Sequence, residues 1–462
     1  MWELLLFNLL PLGVGAAALL PYLLRRRRRL RDWQDAADVC GLQVVETSGW
    51  SPQLTTRAGP VTVTLEAAYG DETRVFIRGP VSPSLHAVSI RREPLLRRAP
   101  EIEIGDPSFD STFFIEGPKR HVLALLDAEM RDRMIRANKE SRLQISTGIL
   151  LAELPDKMVL FLLSLLVDIG QRLAQPMDVL QRLTDNAHRD PEPGVRLQNL
   201  LLLARELPGE PWTVEALRTA CSDPSPGIRL RAAQELGAEG RGVLLELAEG
   251  LEDDASSAQA VSLLGGELPG ERTQSILFGA LRKRSLQAAR ACLEALGKSG
   301  DAAAIDALAK VTTLEEGELA SAAALALGAT GNRAVEPPLI DALQREQADL
   351  RVAAASALGR IGSAAAVLPL QEAAERFWHD LELRRTSRQA IAEIQSRLQG
   401  ASPGQLSLEE AEAGQLSLAQ SGAGQLSLAP DPAGHLSLSP GKPEEPEEPP
   451  PMARKEPAAR PV

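Results

Sequence analysis

The sequence predicts a mainly α protein: an N-terminal transmembrane helix, a small α+β domain, an α-solenoid of stacked helix pairs and a disordered C-terminal tail. Three observations carry this reading. The first 24 residues are almost wholly apolar and run straight into Arg25–Arg29. A Leu-Gly phrase closes successive helical runs at Leu236-Gly237, Leu264-Gly265, Leu296-Gly297, Leu327-Gly328 and Leu358-Gly359, in steps of 28, 32, 31 and 31 residues. The last 62 residues (401–462) are rich in proline and repeat one pentamer. A fixed period near 30 residues means supersecondary units that bury their apolar faces against neighbours.

Composition narrows the function. The net charge of −12 argues against general nucleic-acid binding, and Phe, Trp and Tyr at 3% leave few rings for base stacking. Of 50 basic residues 42 are Arg, which with Ala and Leu favours helix. Cys40, Cys221 and Cys292 are odd in number and far apart, which fits buried thiols in a reducing compartment rather than a disulfide framework.

Residues 1–24 have the length of a membrane span, with Glu3 the single charge. A secretory signal carries its positive charge before the apolar stretch; here residues 25–31 carry it after. That order predicts an uncleaved single-pass anchor in an inner (cytoplasmic) membrane, with the basic flank and the bulk of the chain in the cytoplasm. The arginines should also attract anionic headgroups.

Residues 32–155 form the α+β domain. A helix with Trp33, Ala36, Ala37 and Val39 ends at Gly41. Alternation then marks strands at 61–65, 74–78 and 101–104, with a further strand at Phe113–Ile115, and Gly-Pro and Tyr-Gly-Asp turns between them. A helix over Lys119–Asn138 and a strand pair around Leu143–Leu154 follow, giving an antiparallel sheet with helices on one face. In Gly105-Asp106-Pro107-Ser108-Phe109-Asp110, two carboxylates four apart could hold a metal or act as acid and base; Asp before Pro reads better as a capped turn. This stretch, set between a basic-flanked anchor and a Leu-rich helix, resembles an uncharacterised family of bacterial membrane-anchored domains, which implies no activity. Residues 156–175 carry the apolar run Met158–Val167, too short to span and read as a buried junction helix.

Over residues 176–400 helices alternate. Second helices at 194–207, 227–237, 256–264, 285–296, 318–327, 349–358 and 381–398 are rich in small residues, such as Ala322–Ala324 and Ala353–Ala355. First helices lie between them, at 214–221, 242–251, 272–283, 302–311, 334–345 and 364–377. The glycine after each leucine suits a left-handed C-cap, and Asp223-Pro224 a cap with a proline at the first helical position. Asp223-x5-Arg229-x-Arg231-Ala232-Ala233-x2-Leu236-Gly237, Pro337-Pro338-Leu339-x2-Ala342-Leu343 and Leu350-Arg351-Val352-Ala353-Ala354-Ala355-x2-Leu358-Gly359 resemble HEAT repeats of the short, bilin-lyase-like kind. Residues 253–268 lack the arginine. The resemblance implies a superhelix with a concave binding face, and a family made up mostly of scaffolds and adaptors with a minority of enzymes.

Recurring arginines, among them Arg229, Arg231 and Arg351, either bind phosphates and acidic peptides or hydrogen-bond to acids and carbonyls of adjacent repeats. Trp212 and Trp378 are isolated and are expected to pack at the ends of the stack. The five histidines have no metal spacing, and neither a Walker loop nor a Gly-x-Ser-x-Gly elbow occurs. No catalytic, cofactor or metal residue is therefore assigned, and no enzyme is expected.

In the tail, Gly-Gln/His-Leu-Ser-Leu recurs every ten residues, offering the candidate anchors Leu406 and Leu408, Leu416 and Leu418, and Leu426 and Leu428. Duplication of a 30-base unit explains the spacing; a multivalent linear motif explains why the pentamer persists while its spacers change. Gln-Leu-Ser-Leu resembles the start of the bacterial sliding-clamp-binding peptide but lacks its closing aromatic. Together the regions predict a membrane-anchored scaffold or adaptor with unidentified protein partners on the solenoid face and the tail, held to the membrane through residues 1–24. The alternatives are a bilin-lyase-like HEAT enzyme and a regulatory subunit of a membrane complex.

Overall fold

In a computed structural model the chain is described for residues 23–48, 52–92, 101–315 and 317–397, and for four tail triplets, 406–408, 416–418, 426–428 and 436–438. Two compact units divide it, one up to Leu247 and one from Ala248. All but the last two residues of the anchor expected over 1–24 lie outside the described residues. Among the described residues no helix is long and apolar enough to cross a membrane.

The first unit opens with helix α1, residues 23–39. It begins well before the expected position because the arginine run is itself helical, as the good helix propensity of Arg allows. Eight strands then build one antiparallel sheet, β1 (Gln43–Ser48), β2 (Gln53–Ala58), β3 (Val61–Ala67), β4 (Glu72–Arg78), β5 (Ser89–Arg92), β6 (Phe113–Glu116), β7 (Arg142–Ser146) and β8 (Ile149–Pro155), in the order β1-β2-β3-β4-β8-β7-β5-β6. Register aligns Val63 with Ile77, Val75 with Ala152 and Ile77 with Leu150, so one face is a continuous apolar layer. Strands β1, β2 and β5 were not anticipated: β1 leaves Val44 and Val45 exposed, and β2 reads Gln-Leu-Thr-Thr-Arg-Ala with only Leu54 and Ala58 as apolar marks.

The segment 101–104 is not a strand; it runs beside β6 with the Ile102 N–H on the Ile115 carbonyl at 3.0 Å. The turn helix α2 (Pro107–Asp110) leads into β6. The helix expected over Lys119–Asn138 is two, α3 (Lys119–Leu125) and α4 (Ala128–Glu140), because Asp127 caps the Met130 N–H and starts α4 afresh. The junction helix, expected over residues 156–175, is α5 (Val159–Ala174), with Leu163, Leu166 and Ile169 buried under the sheet. Each such buried aliphatic contributes about 1.5–3 kcal/mol. Helices α6 (Val179–Arg189), α7 (Pro193–Glu206), α8 (Pro211–Ala220) and α9 (Pro226–Leu236) complete the unit as two helix pairs, and α10 (Arg241–Gly250) carries the boundary. The proline at the first position of α9 is Pro226, not Pro224.

The second unit continues as α11 (Asp254–Leu264), α12 (Gly270–Lys283), α13 (Leu286–Ser299), α14 (Ala302–Leu314), α15 (Glu318–Ala329), α16 (Glu336–Ala342), α17 (Ala348–Ile361), α18 (Val367–Arg376) and α19 (Leu381–Arg397). The alternation read from the sequence is reproduced helix for helix. The Leu-Gly glycines, however, divide into two kinds. Gly237 and Gly265 end their helices with φ of +60° and +49°. Gly297, Gly328 and Gly359 are buried inside α13, α15 and α17, where a methyl group would come within 2.9 Å of the Ala326 carbonyl, 2.6 Å of the Ala357 Cβ and 3.1 Å of the Ala390 Cα. They are glycines because the next second helix touches their backbone. The left-handed caps lie three residues later, at Gly300 and Gly331.

The tail expected to be disordered lies mostly outside the described residues. Its four described triplets are short strands: β9 (Leu406–Leu408) pairs with β10 (Leu416–Leu418), and β11 (Leu426–Leu428) with β12 (Leu436–Leu438), each antiparallel with serine opposite serine.

Candidate interaction surface

The second helices α15, α17 and α19 lie side by side because Ala323, Ala324, Ala353 and Ala354 fill the seam without holding them apart. Their solvent sides frame a groove of about 420 Å³, lined by Ser321 and Leu325 from α15, Asp349, Val352 and Ser356 from α17, and Glu382, Thr386, Gln389 and Glu393 from α19. Glu393 accepts from Gln389 at 2.9 Å. Among the described residues lining this groove are three carboxylates, two serines, a threonine and a glutamine, and no lysine or arginine. The surface suits a cationic, hydrogen-bonding segment. Sequence reading missed it. The spacing 382, 386, 389, 393 is one stripe of α19, legible only once the neighbouring helix faces are known.

The arginines singled out from the sequence are placed differently. Arg351 is buried; its guanidinium donates to the Arg345 and Glu346 carbonyls at 3.0 and 2.7 Å, pairs with Asp380 at 3.2 Å and stacks 3.8 Å from the Phe377 ring centroid. Arg229 donates to the carbonyls of Asp223 and Pro224, at 3.0 and 3.4 Å. Arg231 pairs with Glu235 at 2.9 Å and with Gln234 at 3.1 Å. Arg196 repeats the arrangement of Arg351: it holds the carbonyls of Asp190 and Pro191 and forms a two-pronged pair with Asp223 at 2.8 and 2.9 Å. The recurring arginine thus closes the loop five and six residues before it. In Arg196 and Arg351 it also reaches an acid about one repeat onward. In the repeat at 253–268, which lacks it, Asp253 caps α11 through the Ser256 N–H, and Asp254 accepts from the Gln287 and Ala288 N–H groups at 3.0 and 2.8 Å. The tail leucines stand in the four paired triplets.

In the first unit the Gly-Asp-Pro-Ser-Phe-Asp segment has a joining role. Asp106 accepts from the Ser108 and Phe109 N–H groups and from the Ser108 hydroxyl, and Asp110 accepts from Ile104 and Gly105. Arg131, almost wholly buried, bridges Asp106 at 2.7 Å to Asp190 at 2.8 and 2.9 Å. Gly105, at φ +95°, lies directly against Gly194: a Cβ on either would meet the other's backbone at 2.3 Å or less. Burial alone would raise the Asp106 carboxyl, but the hydrogen bonds from Ser108 and Arg131 outweigh it and the net shift is downward. Burial raises the Asp110 carboxyl despite its two backbone donors. Neither carboxylate is part of a metal cluster; among the described residues no group of three or more His, Cys, Asp or Glu could hold an ion.

Trp212 and Trp378 do not pack into the stack as expected: they are 65% and 70% exposed, Trp212 at the start of α8 and Trp378 in the loop before α19. All three cysteines are free, with Cys292 fully buried and burial pushing its thiol up to about 12, whereas Cys40 and Cys221 are half-buried.

Comparison with known proteins bears on the second unit. Residues 310–392 match the HEAT repeats model, and residues 288–312 match the PBS lyase HEAT-like repeat model. No curated protein matches the chain. A solved structure of human deoxyhypusine hydroxylase in complex with glycerol is similar at 17% identity with a TM-score of 0.21, over 46% of this chain and 95% of that one. The resemblance noted for the N-terminal region gains no support from these comparisons. The chain carries HEAT repeats, of which those over residues 288–312 are PBS-lyase-like, in its second unit.

Proposed function

We propose that this protein is a membrane-anchored scaffold, facing the cytoplasm, that binds a cationic segment of a protein partner in the groove of its second unit and performs no chemistry of its own. The groove between α15, α17 and α19 carries the reading: it joins three carboxylates to hydroxyl and amide groups and has no cation among its described lining. HEAT repeats generally mediate protein–protein interaction, and the apolar stretch followed by arginines supports the membrane attachment.

The groove is tested by reversing charge at the exposed Asp349 and Glu382 with Asp349→Lys and Glu382→Lys, and at the half-buried Glu393 with Glu393→Lys, together in the full chain. Partners recovered by the native chain should be lost, and a lysine-rich segment of a recovered partner should bind the native protein with an affinity that falls as salt rises. Recovery of the same proteins by the triple variant would place the binding surface elsewhere. The anchor is tested by carbonate extraction, which should leave the full chain in the membrane fraction.

A further inference from the structure

We infer that the first unit is seated on an anionic lipid surface through the edge where α1 meets the β3–β4 turn and the start of α5. The inference rests on the membrane-attachment reading and adds Tyr69, Lys157 and Phe161 to the basic flank used there.

Arg29 fixes the geometry. Its guanidinium pairs with Asp156 and donates to the Gly70 carbonyl at 2.8 Å, while the Asp156 N–H donates to the Asp71 carbonyl at 2.9 Å. Three chain segments therefore meet at one point: α1, the turn after β3 and the entry to α5. Trp33, one turn further along α1, is buried and donates to Thr73, which donates to Asp156, so this corner is rigid. The α1 residues preceding Arg29 extend about 1.5 Å each away from that anchored point.

The exposed side chains around this point are of two kinds. The apolar ones are Tyr69, at 97% the most exposed large hydrophobic side chain among the described residues, Phe161 at 71% on the first turn of α5, and Leu23 and Leu24. Large apolar groups open to solvent at the same edge have no role in the core. The charged ones are Arg25, Arg27, Arg28 and Arg31 on α1, with Lys157 before α5. The acids near this point are Asp156, consumed by Arg29, Asp71, 4.0 Å from the same guanidinium, Glu72 beside it and Asp32 on α1. Aromatic rings interleaved with cations suit the headgroup level of a bilayer, where rings sit at the boundary of the acyl chains and each cation near an anionic surface adds about 1 kcal/mol. A protein partner is disfavoured because the exposed cations of α1 run directly on from Leu23 and Leu24, at the end of the apolar stretch that supports the membrane attachment.

The test uses the full chain with vesicles of phosphatidylcholine alone, or of equal parts phosphatidylcholine and phosphatidylglycerol. Flotation reads attachment, and hydrogen exchange reads seating. Residues 68–72 and 156–163 should exchange several-fold more slowly with the anionic vesicles than with the neutral ones, while α13–α17 stay unchanged. Tyr69→Ser with Phe161→Ser should remove the difference without altering flotation, since both side chains are on the surface. Arg25, Arg27 and Arg28 changed to Gln should also remove it. A chain that floats with both vesicles but exchanges alike at these segments overturns the seat and leaves the anchor standing. A chain washed from membranes by carbonate, yet protected at these segments by anionic vesicles, overturns the anchor and leaves the seat.

Discussion

The two units join their helices by opposite means. In the first, α4 and the turn before β6 meet the helix pairs through buried charge, Arg131 between Asp106 and Asp190, and one helix pair is tied to the next by Arg196 on Asp223. In the second, successive second helices meet through absence, with Gly297, Gly328 and Gly359 letting the next backbone approach and alanines filling the seam. A joint between unlike elements is made once and can be held by partners specific to it. A joint between like elements has to be made again at each repeat, and a missing side chain repeats more easily than a matched ion pair. The last repeat of the second unit returns to the ionic device, Arg351 on Asp380. The difference also sets what breaks each joint, because a buried pair fails when one partner goes, whereas a close-packed seam fails when anything is added.

The largest expected effect is at the seam. Leu327→Asp places a charge at a fully buried position beside Gly328 and should cost the second unit about 5 kcal/mol. Hydrogen exchange across α13–α17 of the full chain should rise toward the unfolded rate while β3, β4 and β8 keep their protection. Next is the ionic joint. Arg131→Met strands two buried carboxylates and should cost the first unit about 3–4 kcal/mol, with the same measurement now showing loss in the first unit. Adding Asp106→Asn and Asp190→Asn should restore part of it; no recovery would mean that Arg131 acts through its packing alone. A smaller loss, about 2 kcal/mol, is expected from Gly328→Ala, whose methyl meets Ala357 at 2.6 Å. An unchanged thermal midpoint for that variant would mean that the seam yields.

The smallest effect separates the units by pH. Burial, with Arg120 and Arg189 beside them, holds His121 and His188 of the first unit below the ordinary imidazole value. Their folded pKa values lie under the unfolded one, near 6.5, so the unfolded chain takes up protons first and stability falls as pH drops below about 6.5. Exchange of the first unit should quicken between about pH 7 and 5.5, and His121→Asn with His188→Asn should remove that dependence.

How much of this was legible follows from period. The helix pairs were, because apolar spacing and Leu-Gly punctuation repeat, and each repeat checks the others. Most strands of high contrast were, such as Val61–Leu65; β2 was not, since its buried Thr56 reads as polar. The two kinds of glycine could not be told apart, because a left-handed cap and a close approach both exclude a side chain and the chain records only that exclusion. The charged joint was partly visible, Asp106 as a cap; its partner Arg131 is 25 residues away on a helix and carries no local mark. The groove needed three helices placed together before its stripe could be seen.

The glycine seam has a mechanical consequence. Where α13, α15, α17 and α19 touch, only a thin layer of alanine methyls stands between backbones, so that line should keep its length under load. Between α12 and α14 lies a cleft of about 370 Å³ lined by Phe278, Leu281 and Leu314. The second unit should therefore flex like a book about its spine, and a ligand that wedges the cleft should alter its curvature without unfolding a helix.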